Sequence, residues 1–188
     1  MDDLIIAAIR RRLKTKLTDL GQSSRSRLQL GNPFEVSDDE TRLGFPLPPL
    51  LKRIYTEIGN GGFGPGYGLI GLTHGAPDDT GKTAPAIYEV FRSRDASELK
   101  WPIGLLPICH WGCGILSCVD CLDPDFRMRI FDPNVHEGDD WADTFFEESP
   151  GFEIWLGAWA SGVDLWELMY GERGHVRLIL SARWPMRS

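Results

Sequence analysis

The sequence predicts an α+β domain with a central, mainly antiparallel sheet and flanking helices, including N-terminal and C-terminal helices that pack on the sheet. Two observations carry this prediction. Apolar residues recur at helical spacing near both ends of the chain. Between them, three short strand-like runs follow one another, each bounded by turn residues. Hairpin-linked strands between helices indicate an antiparallel meander packed by helices.

The first half of the chain predicts two helices. Residues 2–20 form an amphipathic pattern with acidic residues at the start, and Gly21 is a natural stop. Residues 22–44 are polar and mixed, and are predicted to be a loop. A second helix is predicted to begin near Leu47, with prolines in its first turn, and to end at the glycines of 59–62.

The middle of the chain predicts most of the sheet. Residues 63–72 are expected to turn into a short strand, and residues 84–99 are expected to be helical. Three strands are then predicted at 105–111, 114–122 and 127–131, separated by Gly and Asp-Pro turn signals.

An acidic connection and a long helix complete the prediction. Residues 135–151 are expected to connect the sheet to a last helix over 152–170. Its aromatic and apolar residues fall on one face at spacings of three and four: Phe152, Trp155, Trp159, Val163, Trp166 and Tyr170. Such a row is more typical of a core than of a stacking platform.

Length and composition place the chain among globular proteins. Its 188 residues, 42% apolar and 25% charged, suit a single domain that needs no metal or disulfide. Within it we expect an N-terminal basic helix and loop extension over 1–30, followed by the main domain over 31–188. Asp2 and Asp3 lie where a signal peptide carries positive charge, and no apolar run is long enough to span a membrane, so we expect a cytoplasmic protein.

Charge is unevenly distributed along the chain. The formal charge of −7 argues against a nucleic-acid partner and permits a basic protein partner. Residues 118–153 hold eleven acidic and two basic groups, a net of −9, whereas residues 1–30 carry a net of +4 and residues 172–188 a net of +3. The chain therefore predicts a polarised surface with an acidic central segment.

Four cysteines raise the question of a metal or thiol site. Cys109, Cys113, Cys118 and Cys121 lie close in sequence with His110 among them, but they do not form two separated pairs suited to a zinc ion. On a strand, Cys118 and Cys121 point to opposite faces, as do Cys109 and His110. The simpler interpretation is buried thiols in central strands. A zinc or thiol enzyme that uses the Cys109–Cys121 cluster is kept as a less favoured alternative.

No sequence motif indicates catalysis. The patterns GxSxG, HExxH and GxxxxGK[ST] do not occur. The glycine-rich block 59–68 follows a predicted helix and opens a strand, which reverses the order of a phosphate-binding loop. A helix cap with a chain reversal explains these glycines better.

Several of these segments together resemble one family. The chain resembles an SMI/KNR-type (cell-wall assembly regulator-like) domain of the SUKH superfamily over roughly residues 40–170. The resemblance rests on 47–55, the block GNGGFGPGYGLIGL at 59–72, the segments 105–109, 111–114 and 117–121, and the turn Asp132-Pro133-Asn134.

The resemblance implies an α+β fold and a protein-binding function without catalysis or a cofactor. Many bacterial members are thought to be immunity proteins of polymorphic toxin systems, each of which neutralises a cognate toxin, often a nuclease or deaminase. Fungal relatives regulate cell-wall assembly, so a regulatory or scaffolding interaction domain is the alternative. Because toxin-contacting residues vary with the toxin, the resemblance transfers no partner site to particular residues.

The acidic segment supplies the predicted partner site. An acidic inhibitor can cover the basic groove of a nuclease and gains steered association. Trp141 is expected to serve either as an apolar anchor or as core. The predicted partner-facing residues are Asp120, Asp123, Asp125, Asp132, Glu137, Asp139, Asp140, Trp141, Asp143, Glu147 and Glu148.

Overall fold

A computed structural model describes residues 1–19, 28–93, 100–137 and 141–171. It confirms the α+β class. The helices are α1 (Asp2–Asp19), α2 (Pro33–Leu43), α3 (Pro49–Glu57), α4 (Ala84–Ser93), α5 (Phe152–Ala160) and α6 (Leu165–Tyr170). The strands are β1 (Leu105–Gly112), β2 (Ile115–Asp120), β3 (Met128–Phe131) and β4 (Phe145–Ser149). Two 3-10 turns, Pro133–Val135 and Trp141–Thr144, lie between β3 and β4.

The four strands form one antiparallel sheet in the order β1-β2-β3-β4. The three predicted strands are therefore confirmed as a meander. The fourth strand lies inside the segment that the sequence predicted to be an acidic connection. β4 carries two glutamates, so its sequence lacks the regular alternation of apolar and polar residues that is typical of a strand. Its pairing with β3 also has a register shift between Met128 and Arg129.

Two predictions about helices are corrected. The predicted loop 22–44 contains α2, which Asn32 caps by accepting a hydrogen bond from the Phe34 N–H and which Gly44 ends in the left-handed conformation. The predicted helix 152–170 is two helices separated at Gly162, whose φ is +104°. Val163 and Trp166 are consequently 41% and 37% exposed instead of lying on a buried face.

Two further boundaries differ from the prediction. The expected strand within 63–72 is a single bridge between Leu69 and Cys109. The helix expected over 84–99 is α4, which ends at Ser93, and residues 94–99 lie outside the described residues.

The helices enclose a main hydrophobic core with the sheet, and a smaller cluster of Ile115, Ile130 and Met169 lies apart from it. Ile5, Ile6 and Ile9 of α1 are buried in the same core as the apolar residues of α3 and β1. α1 packs on α5, and α4 packs on β1. The N-terminal helix thus contributes to the core of the main domain. Of the rest of the predicted extension over residues 1–30, residues 20–27 lie outside the described residues.

The glycine-rich block after α3 reverses the chain, as predicted, although Ile58 rather than a glycine caps α3. Gly61 has φ +80°, and a Cβ there would lie 2.5 Å from the Gly71 backbone nitrogen. Asn60 holds the reversal together, because its side chain accepts from the Leu72 N–H and donates to the Thr73 carbonyl. The block therefore has a structural role and places residues 67–70 beside β1.

Candidate functional site

The acidic residues of 118–153 divide between opposite ends of the sheet. Asp123 and Asp125 follow β2, whereas Glu137 and Asp143 lie in the connection between β3 and β4. In an antiparallel meander, successive connections lie at opposite ends of the strand between them, which here is β3, with four residues and a length of about 14 Å. The described acidic residues therefore do not form one continuous face. Asp139 and Asp140 lie outside the described residues.

Near the β2–β3 turn, acidic side chains lie close to two arginines. Asp123 Oδ2 lies 3.5 Å from Arg127 Nε, and Glu147 Oε2 lies 3.9 Å from Arg129 Nη1. Burial lowers the pKa of Arg129, while the nearby Glu147 and Asp120 act in the opposite direction. The carboxylates of Asp120, Asp123 and Glu147 thus balance charge within the domain. Asp125 is the exposed acidic residue at this turn.

Glu148 is fully enclosed by a polar network. Its Oε1 accepts hydrogen bonds from Ser117 Oγ at 2.8 Å and from Trp155 Nε1 at 2.5 Å, and Trp111 Nε1 donates to the same Ser117 Oγ at 2.8 Å. Its Oε2 is buried and has no hydrogen-bond partner among the described residues. Burial outweighs the two hydrogen bonds and raises the pKa of Glu148 to about 8.

Asp132 is a second buried carboxylate with an internal role. It is 3% exposed, and its Oδ2 accepts from the Tyr170 hydroxyl at 2.9 Å. Its Oδ1 accepts from the backbone and side chain of Asn134, which starts the β3–β4 connection. Asp120, Asp132 and Glu148 are all buried, so we remove these three from the set of residues proposed to face a partner.

The acidic loop, which we define as residues 133–137 and 141–144, is held in shape by its own side chains. Asp143 Oδ1 lies 3.0 Å from His136 Nδ1, and Asp143 Oδ2 accepts from the Glu137 N–H at 3.0 Å. Partial burial opposes ionisation, but these bonds outweigh it and lower the pKa of Asp143. The Trp141 ring stacks on His136, with centroids 3.9 Å apart. Glu137 and Asp143 are exposed, while Trp141 is half-buried against the core.

The cysteines do not converge on a common point. Cys109, Cys118 and Cys121 are buried and Cys113 is exposed. Burial raises the pKa of each of the three buried thiols well above its ordinary value. Within the described ranges, no cluster of three His, Cys, Asp or Glu side chains could hold a metal ion.

A groove of about 330 Å³ lies beside the tip of the β1–β2 hairpin. The loop 78–82 forms its rim, α4 contributes apolar side chains, and His110 lies in its wall. The sequence analysis did not find this site. Asp79 and His110 belong to a loop and a strand that only the tertiary fold brings together, and no local pattern signals such a pairing.

These features define a small α+β domain with an antiparallel four-stranded meander and an acidic loop at one end. The SMI1 / KNR4 family (SUKH-1) model matches residues 34–158, about two thirds of the chain. The chain therefore belongs to the SMI1 / KNR4 family, as the sequence segments indicated. A search of curated proteins finds no relative of this chain. None of its described helices is long and apolar enough to cross a membrane.

Proposed function

We propose that this chain is a non-catalytic protein-binding domain that neutralises a basic partner, as an immunity protein neutralises its cognate toxin. Membership of the SMI1 / KNR4 family supports the class. The observation that carries the proposal is the acidic loop, in which internal bonds orient Asp143 and leave Glu137 exposed.

The acidic loop has features that favour protein recognition. The Asp143 carboxylate is held in place before a partner arrives, so little ordering of this group is needed on binding. The Trp141 ring is half-buried on His136 and offers an apolar surface beside the exposed charges, which is the composition of many interface hot spots. Exposed carboxylates also attract a basic surface from a distance, which raises the association rate at low salt.

The test uses the product of an adjacent toxin gene as the partner. Association rates are measured over a range of salt concentrations for the wild type and for Glu137→Lys. We expect the variant to associate more slowly, by roughly tenfold at low salt, with a shallower salt dependence. Asp125→Lys is the matched control, because Asp125 is an exposed acidic residue at the other end of the sheet. Equal losses in both variants, or no loss in either, would contradict the assignment to the acidic loop.

Inhibition is separated from scaffolding by a growth assay. Cells that express the toxin should recover growth when the wild-type chain is co-expressed, and Glu137→Lys should restore growth less well at equal abundance. Binding without protection would instead favour the regulatory or scaffolding alternative, because a scaffold needs to hold its partner without blocking the partner's activity.

A further inference from the structure

We propose that the groove beside the β1–β2 hairpin receives an arginine side chain from the protein partner. This inference rests on the proposed function and names a specific contact within it. The groove is bounded by the loop 78–82, α4 and the hairpin residues Gly112, Cys113 and Gly114. Its volume of about 330 Å³ exceeds what one long side chain requires.

The carboxylate of Asp79 supplies the charge for this contact. Asp78 Oδ1 is occupied by the N–H groups of Thr80 and Lys82, so Asp78 shapes the loop. The Asp79 side chain is 63% exposed and lies at the rim. Among the described residues that line the groove, Lys82 is the one lysine or arginine, and its Nζ donates to Thr80 Oγ1 at 3.2 Å. Two carboxylates against one ammonium leave the rim negative, which suits a cationic side chain.

His110 provides a second, independent indication of a ligand. It is 8% exposed, and its buried Nδ1 has no hydrogen-bond partner within the described part of the chain. Buried polar atoms normally have a partner. The distance from His110 Nδ1 to Asp79 Oδ1 is 3.8 Å, so one donor nitrogen can lie about 2.9 Å from both atoms. A guanidinium has several such donors in a planar arrangement.

The walls of the groove favour arginine over a small cation. Ile87 and Phe91 of α4 and Leu116 of β2 line it and can cover an aliphatic stem. Tyr67 stacks on His110 with ring centroids 5.0 Å apart and is 70% exposed. Tyr67 lies outside the lining of the groove, but its exposed ring next to His110 is a favourable surface for a guanidinium, which stacks on aromatic faces better than an ammonium does.

The groove is also continuous with the acidic loop. Asn134 Nδ2 donates to the Cys113 carbonyl at 3.0 Å, and Pro133 contacts Gly114 closely enough that a Cβ there would lie 3.1 Å from Pro133 Cγ. The tip of the β1–β2 hairpin therefore joins the two features at the same end of the sheet. A partner that docks on Glu137 and Asp143 lies within reach of the groove.

The test is an NMR titration of the full chain with the blocked tripeptide acetyl-Gly-Arg-Gly-amide. We expect saturable shift changes at the backbone amides of Asp79, Gly112 and Cys113. Asp79→Asn should weaken binding by about fivefold, the effect of losing one exposed charge pair. Asp125→Asn, the same change at the opposite end of the sheet, should leave the affinity unchanged, and a peptide with citrulline in place of arginine should not bind.

Three results would overturn the inference: no saturable shifts at the groove, equal binding of the citrulline peptide, or unchanged affinity in Asp79→Asn. None of them affects the proposed function, which is measured on the whole partner through Glu137. Conversely, arginine binding at the groove would stand even if no toxin were neutralised, so failures of the two proposals are distinguishable.

Discussion

Glu148→Gln is expected to remove most of the pH dependence of folding stability in the range where the buried carboxyl titrates. Glu148 has a pKa of about 8 in the folded protein, raised by burial from an ordinary value of 4.5. The folded state therefore holds the proton more tightly than the unfolded state does. The sign follows from this: the contribution of Glu148 to stability is fully present below about pH 4.5 and is lost as pH rises towards 8.

The magnitude follows from the two pKa values. Each unit of difference corresponds to about 1.4 kcal/mol, so stability should fall by about 2–3 kcal/mol between roughly pH 5.5 and pH 7.5. Glutamine mimics the protonated acid. Its Oε1 can accept from Ser117 and Trp155, and its nitrogen replaces Oε2, which lacks a partner among the described residues. The variant should lose this decline.

The assay measures the free energy of unfolding by urea for the wild type and the variant at both pH values. The change in this free energy between the two pH values is then compared between the two proteins, so that the effects of other titrating groups cancel. Glu153→Gln serves as the control, because Glu153 is a partly exposed glutamate in the first turn of α5. Its profile should run parallel to that of the wild type. If Glu148→Gln also runs parallel to the wild type, then Glu148 does not titrate as a buried acid and the argument fails.

Two further predictions concern backbone strain and thiol access. Gly61→Ala should destabilise the fold by several kcal/mol more than Gly81→Ala, measured by urea unfolding. Both residues have φ near +80°, but a Cβ at Gly61 would meet the Gly71 nitrogen at 2.5 Å, whereas a Cβ at Gly81 would meet no atom within 4 Å. Equal losses would show that φ alone sets the cost. In native buffer, a thiol reagent should modify Cys113 rapidly and Cys109, Cys118 and Cys121 at rates limited by opening of the fold, because only Cys113 is exposed. Cys113→Ser should abolish the fast phase, and a fast phase that persists would contradict this burial pattern.

The local sequence pattern was sufficient to predict the elements whose buried residues follow the spacing of a regular helix or strand. α3 has buried residues at helical spacing, and β1 and β2 are apolar runs bounded by turns. α2 was missed although Asn32, Pro33 and Gly44 mark both of its ends, because its interior is mostly polar. β4 was missed because Glu147 and Glu148 interrupt its apolar pattern, and contacts with Arg129, Ser117 and Trp155 make those carboxyl groups acceptable there.

The sequence alone determined the α+β class, the meander, the family and the existence of an acidic segment, because composition, periodicity and motif are local properties of the chain. The tertiary structure decided which acidic residues face solvent. Asp132 and Glu148 are buried beside Tyr170 and Trp155, Glu137 and Asp143 remain exposed, and Asp79 meets His110 across a groove. Charge belongs to a residue, whereas burial and hydrogen-bond partners depend on residues distant in sequence, and these partners decide whether a carboxylate stabilises the fold or is available to another protein.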